Sequence, residues 1–168
     1  LKVSIDSTFI DSANCFQISD GFAEVFTSGG TGSYSYLWQD GQTTKKAISL
    51  KAGNYKVIVT DQYNCNDSIV VSVHEPPKVT ISILKVDSAN CFGYSDGSIL
   101  TSTTGGTGVI NYQWSDGQTD TVATNLSSGT YKMVSTDAYG CKDSISQNLP
   151  EPDSILVTSI DIRHVTCR

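Results

Sequence analysis

The sequence predicts an all-β chain built from tandem copies of one 76-residue unit. An ungapped comparison of residues 1–76 with residues 77–152 finds 37 identical positions. Strand-forming residues occur in short alternating runs, and no stretch has the spacing of an amphipathic helix. Self-similarity at a fixed period is the signature of a repeat array, and short alternating runs separated by turn residues favour β-sandwiches.

The repeat is clearest in two glycine-rich stretches, residues 29–41 and 105–117. Each opens with Gly-Gly-Thr-Gly, passes through alternating large residues to a tryptophan, and closes with Asp-Gly. Cysteines recur at the same offset, at Cys15, Cys91 and Cys167. The predicted organisation is therefore one repeat over 1–76, a second over 77–152, and the truncated start of a third over 153–168.

Alternation along the first copy predicts about seven short strands per repeat. Strand B has a variable face, because Phe22 and Phe26 become Ser98 and Ser102 in the second copy, so Ala23 is the predicted inward position. The clearest predicted strands cover residues 2–5, 22–27, 29–38, 55–60 and 68–73.

Four aromatic residues are predicted to anchor the two cores. Trp38 and Trp114 end the third strand of each copy, where immunoglobulin-type sandwiches place a buried tryptophan. Tyr55 and Tyr131 follow a glycine near the head of the penultimate strand, which resembles a tyrosine corner. The predicted fold is an immunoglobulin-like (PKD-like) β-sandwich.

Charge and composition exclude several classes of partner. The net charge is −6 and the isoelectric point is about 4.6, so nucleic acid is not an expected partner. Lysine and arginine do not cluster, and no apolar run is long enough to cross a bilayer. We therefore expect no nucleic-acid binding and no membrane insertion.

Catalysis has little support in the sequence. The two histidines, His74 and His164, correspond to Pro150 and Ser88, so no histidine-based constellation occurs in both copies. Repeated aspartates occupy predicted turns, without the spacing of a calcium loop. We expect no enzyme activity and no cofactor, with a calcium ion that bridges two loops or two repeat units as the minor alternative.

The repeated motifs resemble the SprB repeat family. They are Cys-Phe-x-x-Ser-Asp-Gly, Gly-Gly-Thr-Gly-x-x-x-Tyr-x-Trp-x-Asp-Gly, Leu-x-x-Gly-x-Tyr and Thr-Asp-x-Tyr-x-Cys. Departures are small: Gln17 stands where Gly93 stands in the second copy, and Asn64 where Gly140 stands. The resemblance implies an array in a surface adhesin of gliding Bacteroidota, exported by type IX secretion machinery and attached at the outer membrane as a filament.

Cysteine pairing has two alternatives once the resemblance places the chain outside the cell, where disulfides persist. The simpler scheme pairs Cys15 with Cys65 and Cys91 with Cys141, leaving Cys167 for a partner beyond the sequence. The alternative pairs Cys15 with Cys141, because the two cysteine loops of an immunoglobulin-like unit lie at opposite ends of its sandwich. The simplest alternative is that no disulfide forms and the cysteines are free, buried thiols.

An acidic triplet, Asp followed by Ser or Thr and a small aliphatic residue or Thr, occurs seven times. Asp-Ser is ordinary turn chemistry. The triplet also resembles the O-glycosylation acceptor of exported Bacteroidota proteins. The predicted acceptor sites are Ser7, Ser12, Ser68, Ser88, Thr121, Ser144 and Ser154.

These observations predict a structural and adhesive role. The chain is expected to be part of a stiff filament, with the neighbouring repeats of the same chain and an external surface or glycan as its partners. The alternative is a glycan- or cell-surface-binding module, in which exposed Phe22 and Phe26 stack on a sugar.

Overall fold

The computed structural model describes residues 2–156 and 158–160, and all regular secondary structure in this part of the chain is β. Six strands fall in the first copy and six in the second. They are β1 (Val3–Asp11), β2 (Gly21–Gly29), β3 (Ser35–Trp38), β4 (Lys46–Leu50), β5 (Gly53–Thr60), β6 (Asn66–Val73), β7 (Thr80–Asp87), β8 (Gly97–Thr104), β9 (Asn111–Trp114), β10 (Val122–Leu126), β11 (Gly129–Thr136) and β12 (Lys142–Leu149).

The first copy forms two three-stranded sheets, in the orders β1-β2-β4 and β3-β5-β6. Neighbouring strands in both sheets are antiparallel. In immunoglobulin terms these are strands A-B-E and C-F-G, so the predicted all-β, immunoglobulin-like sandwich is confirmed. The predicted count of seven strands is wrong, because the polar segment between β3 and β4 forms no strand.

The second copy repeats this order, with sheets β7-β8-β10 and β9-β11-β12. Each sheet in the described residues draws its strands from one copy only. The repeat boundaries after residues 76 and 152 remain a prediction.

Tertiary contacts divide the chain into two compact units whose limits differ from those of the copies. The first unit contains the residues up to Ile81 together with Thr103–Asn111 and Val134–Ser144. The second contains Ser82–Ser102, Tyr112–Met133 and the described residues between Ile145 and Ile160. Cys15 and Cys141 both belong to the first unit.

Strand β1 is longer than the sequence predicts. It pairs with β2 from Val3 to Asp11, and its register shifts between Ile5 and Ser7. A bulge inserts one unpaired residue, here Asp6, and reverses which side chains face inward beyond it. The alternation predicted from Val3 and Ile5 therefore ends early, although the strand continues.

Strand β4 does not follow the period-2 pattern, because its pairing with β2 also shifts register. Its buried residues, Ala47 and Leu50, are three positions apart. Between them Ser49 has a φ of 56°, in the left-handed region, and the pairing with β2 shifts register there. The same irregularity recurs in β10, where Asn125 has a φ of 55°.

The core of the first copy lies between its two sheets. Ala23, the predicted inward residue of strand B, is fully buried. Every strand contributes to the core, and the burial of this apolar surface is the main favourable term in folding. The cluster comprises Val3, Ala23, Val25, Trp38, Ala47, Leu50, Val57, Val59, Val71 and Val73.

The two tryptophans are core anchors, as predicted. Trp38 is 1% and Trp114 2% exposed, and each indole N–H donates to a backbone carbonyl at 2.8 Å. The two tyrosines are less deeply buried than the tryptophans. Tyr55 and Tyr131 are only half-buried, because their hydroxyls turn outward to donate to the carbonyls of Lys51 (3.1 Å) and Ser127 (3.0 Å). Such bonds to backbone just upstream are those of a tyrosine corner.

Candidate functional site

A disulfide joins the two copies of the repeat. It links Cys15, in the loop between β1 and β2, to Cys141, in the turn between β11 and β12, with 5.6 Å between their Cα atoms. The pairing of Cys15 with Cys65 and of Cys91 with Cys141 is therefore wrong, and the alternative pairing is the one in the structure.

The fold explains why Cys15 cannot reach Cys65. The Cys15 loop lies beside the end of β6, where Ala13 N–H donates to His74 O at 2.9 Å. The Cys65 turn lies at the start of β6, beside the beginning of β1, where Ile5 N–H donates to Asp67 Oδ2 at 2.9 Å. The eight residues of β6 separate these ends by roughly 25 Å, far beyond the ~7 Å that a disulfide tolerates.

Hydrogen bonds fix the Cys15 loop. Asn14 donates its backbone N–H and its side-chain amide to the two oxygens of Asp20, at 3.0 and 2.8 Å. Gln17, whose φ of 59° is left-handed, donates its N–H to Glu75. The motif Asn-Cys-Phe-x-x-Ser-Asp therefore encodes a shaped loop that presents the cysteine.

Asp137 organises the turn that carries Cys141. Its side chain is buried, with Oδ1 accepting from the N–H groups of Tyr139 and Cys141 at 2.9 Å and Oδ2 from Thr107 N–H at 2.8 Å. Desolvation by itself would raise the pKa of this carboxyl, but the backbone donors outweigh it and hold the pKa below its usual value. Asp137 is thus a positioning residue for the disulfide.

Asp61 plays the same part around Cys65. It accepts from the N–H groups of Tyr63 and Cys65 at 2.9 Å and from that of Thr31 at 3.0 Å. Desolvation is the largest single effect on the pKa of Asp61 and would raise it, but the backbone donors together hold this pKa below its usual value. From the sequence alone, both aspartates are predicted only as ordinary turn residues. The available signal was the repeated Thr-Asp-x-Tyr-x-Cys, in which the Asp precedes the cysteine by four positions.

The Asp61 carboxylate also explains the Gly-Gly-Thr-Gly motif, because Gly30 lies against it. Gly30 has a φ of 64°, and a Cβ there would lie 2.6 Å from Val3 Cγ2 and 3.0 Å from Asp61 Oδ2. Only glycine lets this bend approach the buried carboxylate, so the motif shapes the entry to strand C.

Two cysteines among the described residues are free. Cys65 and Cys91 are both exposed, and each occupies the position that a bonded cysteine has in the other copy. Cys167 lies outside the described residues, so the prediction that it has a partner beyond the sequence is not tested.

The predicted glycosylation sites differ in exposure. Five hydroxyl side chains belong to exposed residues, whereas Ser88 and Thr121 are half-buried. Acceptance of a glycan requires an accessible hydroxyl, so the exposed group fits modification better and all seven remain predictions. The exposed residues are Ser7, Ser12, Ser68, Ser144 and Ser154.

Two of the acidic triplets have a structural role. Ile5 N–H donates to Asp67 Oδ2, and Ile81 N–H donates to Asp143 Oδ2, both at 2.9 Å. Each carboxylate thereby ties the last strand of a copy to the first strand of the same copy, and the bond from Ile5 lowers the pKa of Asp67. Part of the triplet excess is therefore required by the fold, whether or not Ser68 and Ser144 are modified.

An aromatic patch occupies the outer face of the first copy's β1-β2-β4 sheet. Phe9 is 55% and Phe26 40% exposed, and the Phe9 and Phe22 ring centroids lie 5.6 Å apart. Lysine ammonium groups lie over two of the rings, Lys46 at 3.4 Å from the Phe22 centroid and Lys45 at 4.1 Å from that of Phe26. These lysines cover one face of each ring, so a sugar would have to use the other face or displace them.

In residues 2–156 and 158–160, no three His, Cys, Asp or Glu side chains converge closely enough to hold a metal ion. His164 lies outside this range. The same residues contain no helix long and apolar enough to cross a bilayer. Enzyme activity and calcium binding remain matters of prediction.

The two copies thus define the chain as a repeat protein of immunoglobulin-type β-sandwiches. The family model of the SprB repeat matches residues 7–43 and 84–119. A segment of each copy therefore matches the SprB repeat model, which confirms the resemblance predicted from the motifs. The sequence matches none of the curated proteins at a significant level.

Three solved structures are similar to the chain at a low level. They are the fibronectin(III)-like modules of Clostridium thermocellum CbhA (16% identity, 88% of this chain, 93% of that chain, TM-score 0.33), the amphioxus IgVJ-C2 molecule (12%, 87%, 97%, 0.34) and extracellular domains 3–5 of Drosophila OTK (14%, 86%, 63%, 0.28). The strand order, not these likenesses, defines the fold.

Proposed function

We propose that this chain is a load-bearing segment of a secreted cell-surface filament, acting as a stiff stalk and adhesive surface of the gliding-adhesin type and not as an enzyme. SprB repeats are typical of cell-surface adhesins, and both copies match that family. The single observation that carries the load-bearing role is the Cys15–Cys141 disulfide, since it joins two copies covalently.

The disulfide changes the path of a pulling force. It bridges a sequence separation of 126, so only the segments before Cys15 and after Cys141 lie outside the bridge. Force applied at the two ends passes through the bond and bypasses the strands from β2 to β11. At about 3.5 Å per extended residue, the stretched chain reaches about 150 Å, compared with about 600 Å without the bond.

Single-molecule pulling from terminal tags tests this role. The oxidised chain should stop extending at about 150 Å, and addition of a reducing agent should release the remaining length. The Cys15→Ser variant should reach the full length without reductant. Cys65→Ser is the matched control, since it removes a cysteine outside the disulfide and should behave as the parent.

Full extension of the oxidised parent chain would contradict the load-bearing role. Surface location is tested separately, by labelling intact cells of the source organism with an antibody against this segment. Labelling only after the cells are permeabilised would contradict it.

The aromatic patch supports a second candidate function, recognition of a surface glycan. Phe9 and Phe26 are exposed on the neighbouring strands β1 and β2, and Lys45 lies over the Phe26 ring, which combines a stacking surface with a hydrogen-bond donor. The patch belongs to the first copy alone, because Lys85, Ser102 and Thr121 stand at the corresponding positions of the second copy.

A glycan array separates the two candidates. Specific binding that Phe26→Ala abolishes and that Phe92→Ala leaves intact would support glycan recognition, since Phe92 is an exposed phenylalanine outside the patch. An array without specific binding, or binding that Phe26→Ala retains, would contradict glycan recognition through the patch and leave the stalk role as the remaining candidate.

A further inference from the structure

A glutamine follows the Asp-Gly turn of each copy, at Gln42 and Gln118. Its side-chain amide contacts the outer edge of a nearby strand, β4 in the first copy and β10 in the second. We propose that these two glutamines are edge caps, which keep β4 and β10 from pairing with a strand of another repeat or of another molecule. The inference goes beyond the proposed function and does not depend on it.

Strand β4 is an edge strand. In the order β1-β2-β4 it pairs with β2 on one side, and no strand among the described residues pairs with its other side. Lys45 O accepts from Val25 N–H in β2. Because backbone groups alternate in direction along a strand, those of Lys46 and Ile48 point away from β2. An uncovered row of such groups is a template for a further strand.

The amide of Gln42 occupies this edge at Ile48. Gln42 Nε2 donates to Ile48 O at 3.0 Å, and Ile48 N–H donates to Gln42 Oε1 at 3.0 Å. Two residues that form a hydrogen-bonded pair in an antiparallel ladder exchange the same two bonds. The side-chain amide therefore takes the place of a peptide group in a further strand. Beside it, Thr44 Oγ1 donates to the outward carbonyl of Lys46 at 2.6 Å.

The Asp-Gly turn fixes the position of this glutamine. Gly41 N–H donates to Trp38 O at 3.0 Å, and Trp38 N–H donates to Gln42 O at 2.8 Å. Asp40 Oδ2 accepts from Gln42 Nε2 at 2.7 Å. The side-chain amide is thus held between the Asp40 carboxylate and the edge of β4, and the repeated Asp-Gly-Gln sequence encodes this arrangement.

The second copy has the same cap on a different residue. Gln118 Nε2 donates to Thr124 O, and Thr124 N–H donates to Gln118 Oε1, each at 3.0 Å. Asp116 Oδ2 accepts from Gln118 Nε2 at 2.7 Å. Thr124 stands where Ile48 stands in the first copy, so the cap binds backbone groups and does not require a particular side chain beneath it.

A second feature makes the same edges poor templates. The residue after each capped one has a left-handed φ, 56° at Ser49 and 55° at Asn125. The register of pairing shifts across each of these residues. Natural sheets protect their edges with local irregularities and with groups that cover the strand. Both kinds of protection therefore occur at adjacent positions of β4 and of β10.

A repeat protein has a particular need for such caps. Each copy presents an edge of the same shape, so an uncovered edge would meet matching edges in other repeats and in other molecules. Misassembly between neighbouring units is a characteristic failure of repeat proteins. The expected effect of the caps is that each repeat keeps its strands to itself.

The test replaces both glutamines by leucine, which keeps the approximate size of the side chain and removes the amide. The whole chain is used, with any free thiols alkylated so that no new disulfides link molecules. In dilute protein, amide hydrogen exchange measured by NMR should be about tenfold faster at Ile48 and Thr124 than in the parent. In concentrated protein, the double variant should sediment as oligomers and these two amides should regain protection, because the uncovered edges then pair.

Gln113→Leu is the matched control for the added apolar surface. Gln113 is exposed, and Leu37 stands at the equivalent position of the first copy. This variant should keep the exchange rates at Ile48 and Thr124 and the sedimentation of the parent, because it leaves both caps in place.

Gln42→Asn combined with Gln118→Asn keeps the test decisive if the leucine variant does not fold. Each amide is retained but is shortened by one methylene, so it should no longer reach the strand edge, and exchange at the capped residues should again accelerate. Exchange as slow as in the parent would overturn the proposal. So would sedimentation of the folded double variant that matches Gln113→Leu at every concentration.

Discussion

The two copies solve the same packing problem with different cores. At five equivalent core positions the first copy has Ala23, Val25, Val57, Val59 and Val73. The second copy has larger apolar residues at three of them and polar residues at two. These are Ile99, Thr101, Met133, Ser135 and Leu149, all buried.

The polar residues of the second core are tolerated because both are hydrogen-bonded. Thr101 Oγ1 donates to Thr121 O at 2.8 Å, and Ser135 shares a 2.9 Å hydrogen bond with Thr103. No buried side-chain nitrogen or oxygen among the described residues lacks a partner. Ile99, Met133 and Leu149 are larger than their counterparts in the first copy and Ser135 is smaller than Val59, and cores tolerate such exchanges when total volume is kept. The tryptophans and the Asp-Ser-Ala-Asn-Cys-Phe segment of the cysteine loop, in contrast, are identical in both copies.

Replacing either tryptophan should have the largest effect on stability. Trp38→Ala and Trp114→Ala each remove a fully buried indole and should lower the free energy of unfolding by about 3–5 kcal/mol. Urea unfolding of the two variants measures it. Similar losses are expected, because the two indoles are buried to a similar extent and each donates one hydrogen bond to a backbone carbonyl. A loss below about 1 kcal/mol in one copy would show that its core does not depend on this anchor.

The two buried aspartates should differ in their effect on the disulfide. Asp137→Asn removes the charge that holds the N–H groups around Cys141, so dithiothreitol should reduce the Cys15–Cys141 bond about tenfold faster, as expected for a lost charge-assisted hydrogen bond. Asp61→Asn perturbs the equivalent turn around free Cys65 and should leave the reduction rate unchanged. Equal rates in both variants would exclude a positioning role for Asp137.

Acid should destabilise both copies, because each contains carboxyls whose pKa is lowered in the folded state. A pKa that is lower in the folded than in the unfolded state gives stability that is present above about pH 3.9, the unfolded value, and is lost as the pH falls through the folded pKa. Unfolding midpoints measured from pH 6 to pH 2 should fall below pH 4, and Asp137→Asn should flatten the curve. A midpoint independent of pH would contradict this. The carboxyls with lowered pKa values are Asp61, Asp67, Asp87, Asp96 and Asp137.

Exchanging one core position between the copies should have a small effect. Thr101→Val leaves Thr121 O bonded to the Thr101 backbone N–H (3.0 Å), so no acceptor is orphaned. Val25→Thr gains the equivalent carbonyl, Lys45 O, as an acceptor. Each change should alter the free energy of unfolding by less than about 1 kcal/mol. A loss above about 2 kcal/mol in thermal or urea unfolding would show that the two cores are not interchangeable at this position.

Glycan occupancy should follow the exposure of equivalent serines. Ser12 is exposed and Ser88 half-buried within identical Asp-Ser-Ala triplets, so Ser12 should be modified more completely. Glycopeptide mass spectrometry on protein from its own host measures both sites. If both peptides are unmodified, turn chemistry and the carboxylate ties of the fold account for the triplets.

Much of the fold could be predicted from the sequence because the inward residues alternate. Ala23 and the two tryptophans were predictable for this reason. The full length of β1 and the whole of β4 were not, because the bulge after Ile5 and the left-handed Ser49 shift the alternation. Such local irregularities depend on how the strand pairs with its neighbour in the fold, and a short stretch of sequence does not determine that pairing.

The cysteine site was predictable only as a pair of alternatives. Spacing identifies Cys15 and Cys141 as members of repeated loops, but a disulfide depends on which loop ends meet in space. The part of Asp137 was missed because a buried aspartate and a turn aspartate have the same local sequence. Its three backbone donors come from two separate segments, which only the folded chain brings together.

The covalent link between the copies is tested most directly by a non-reducing peptide map of protein purified from its own host and alkylated before digestion. The account predicts a disulfide-linked peptide that contains Cys15 and Cys141. Recovery of a Cys15–Cys65 peptide together with a Cys91–Cys141 peptide would instead show that each copy closes on itself, and would contradict the account.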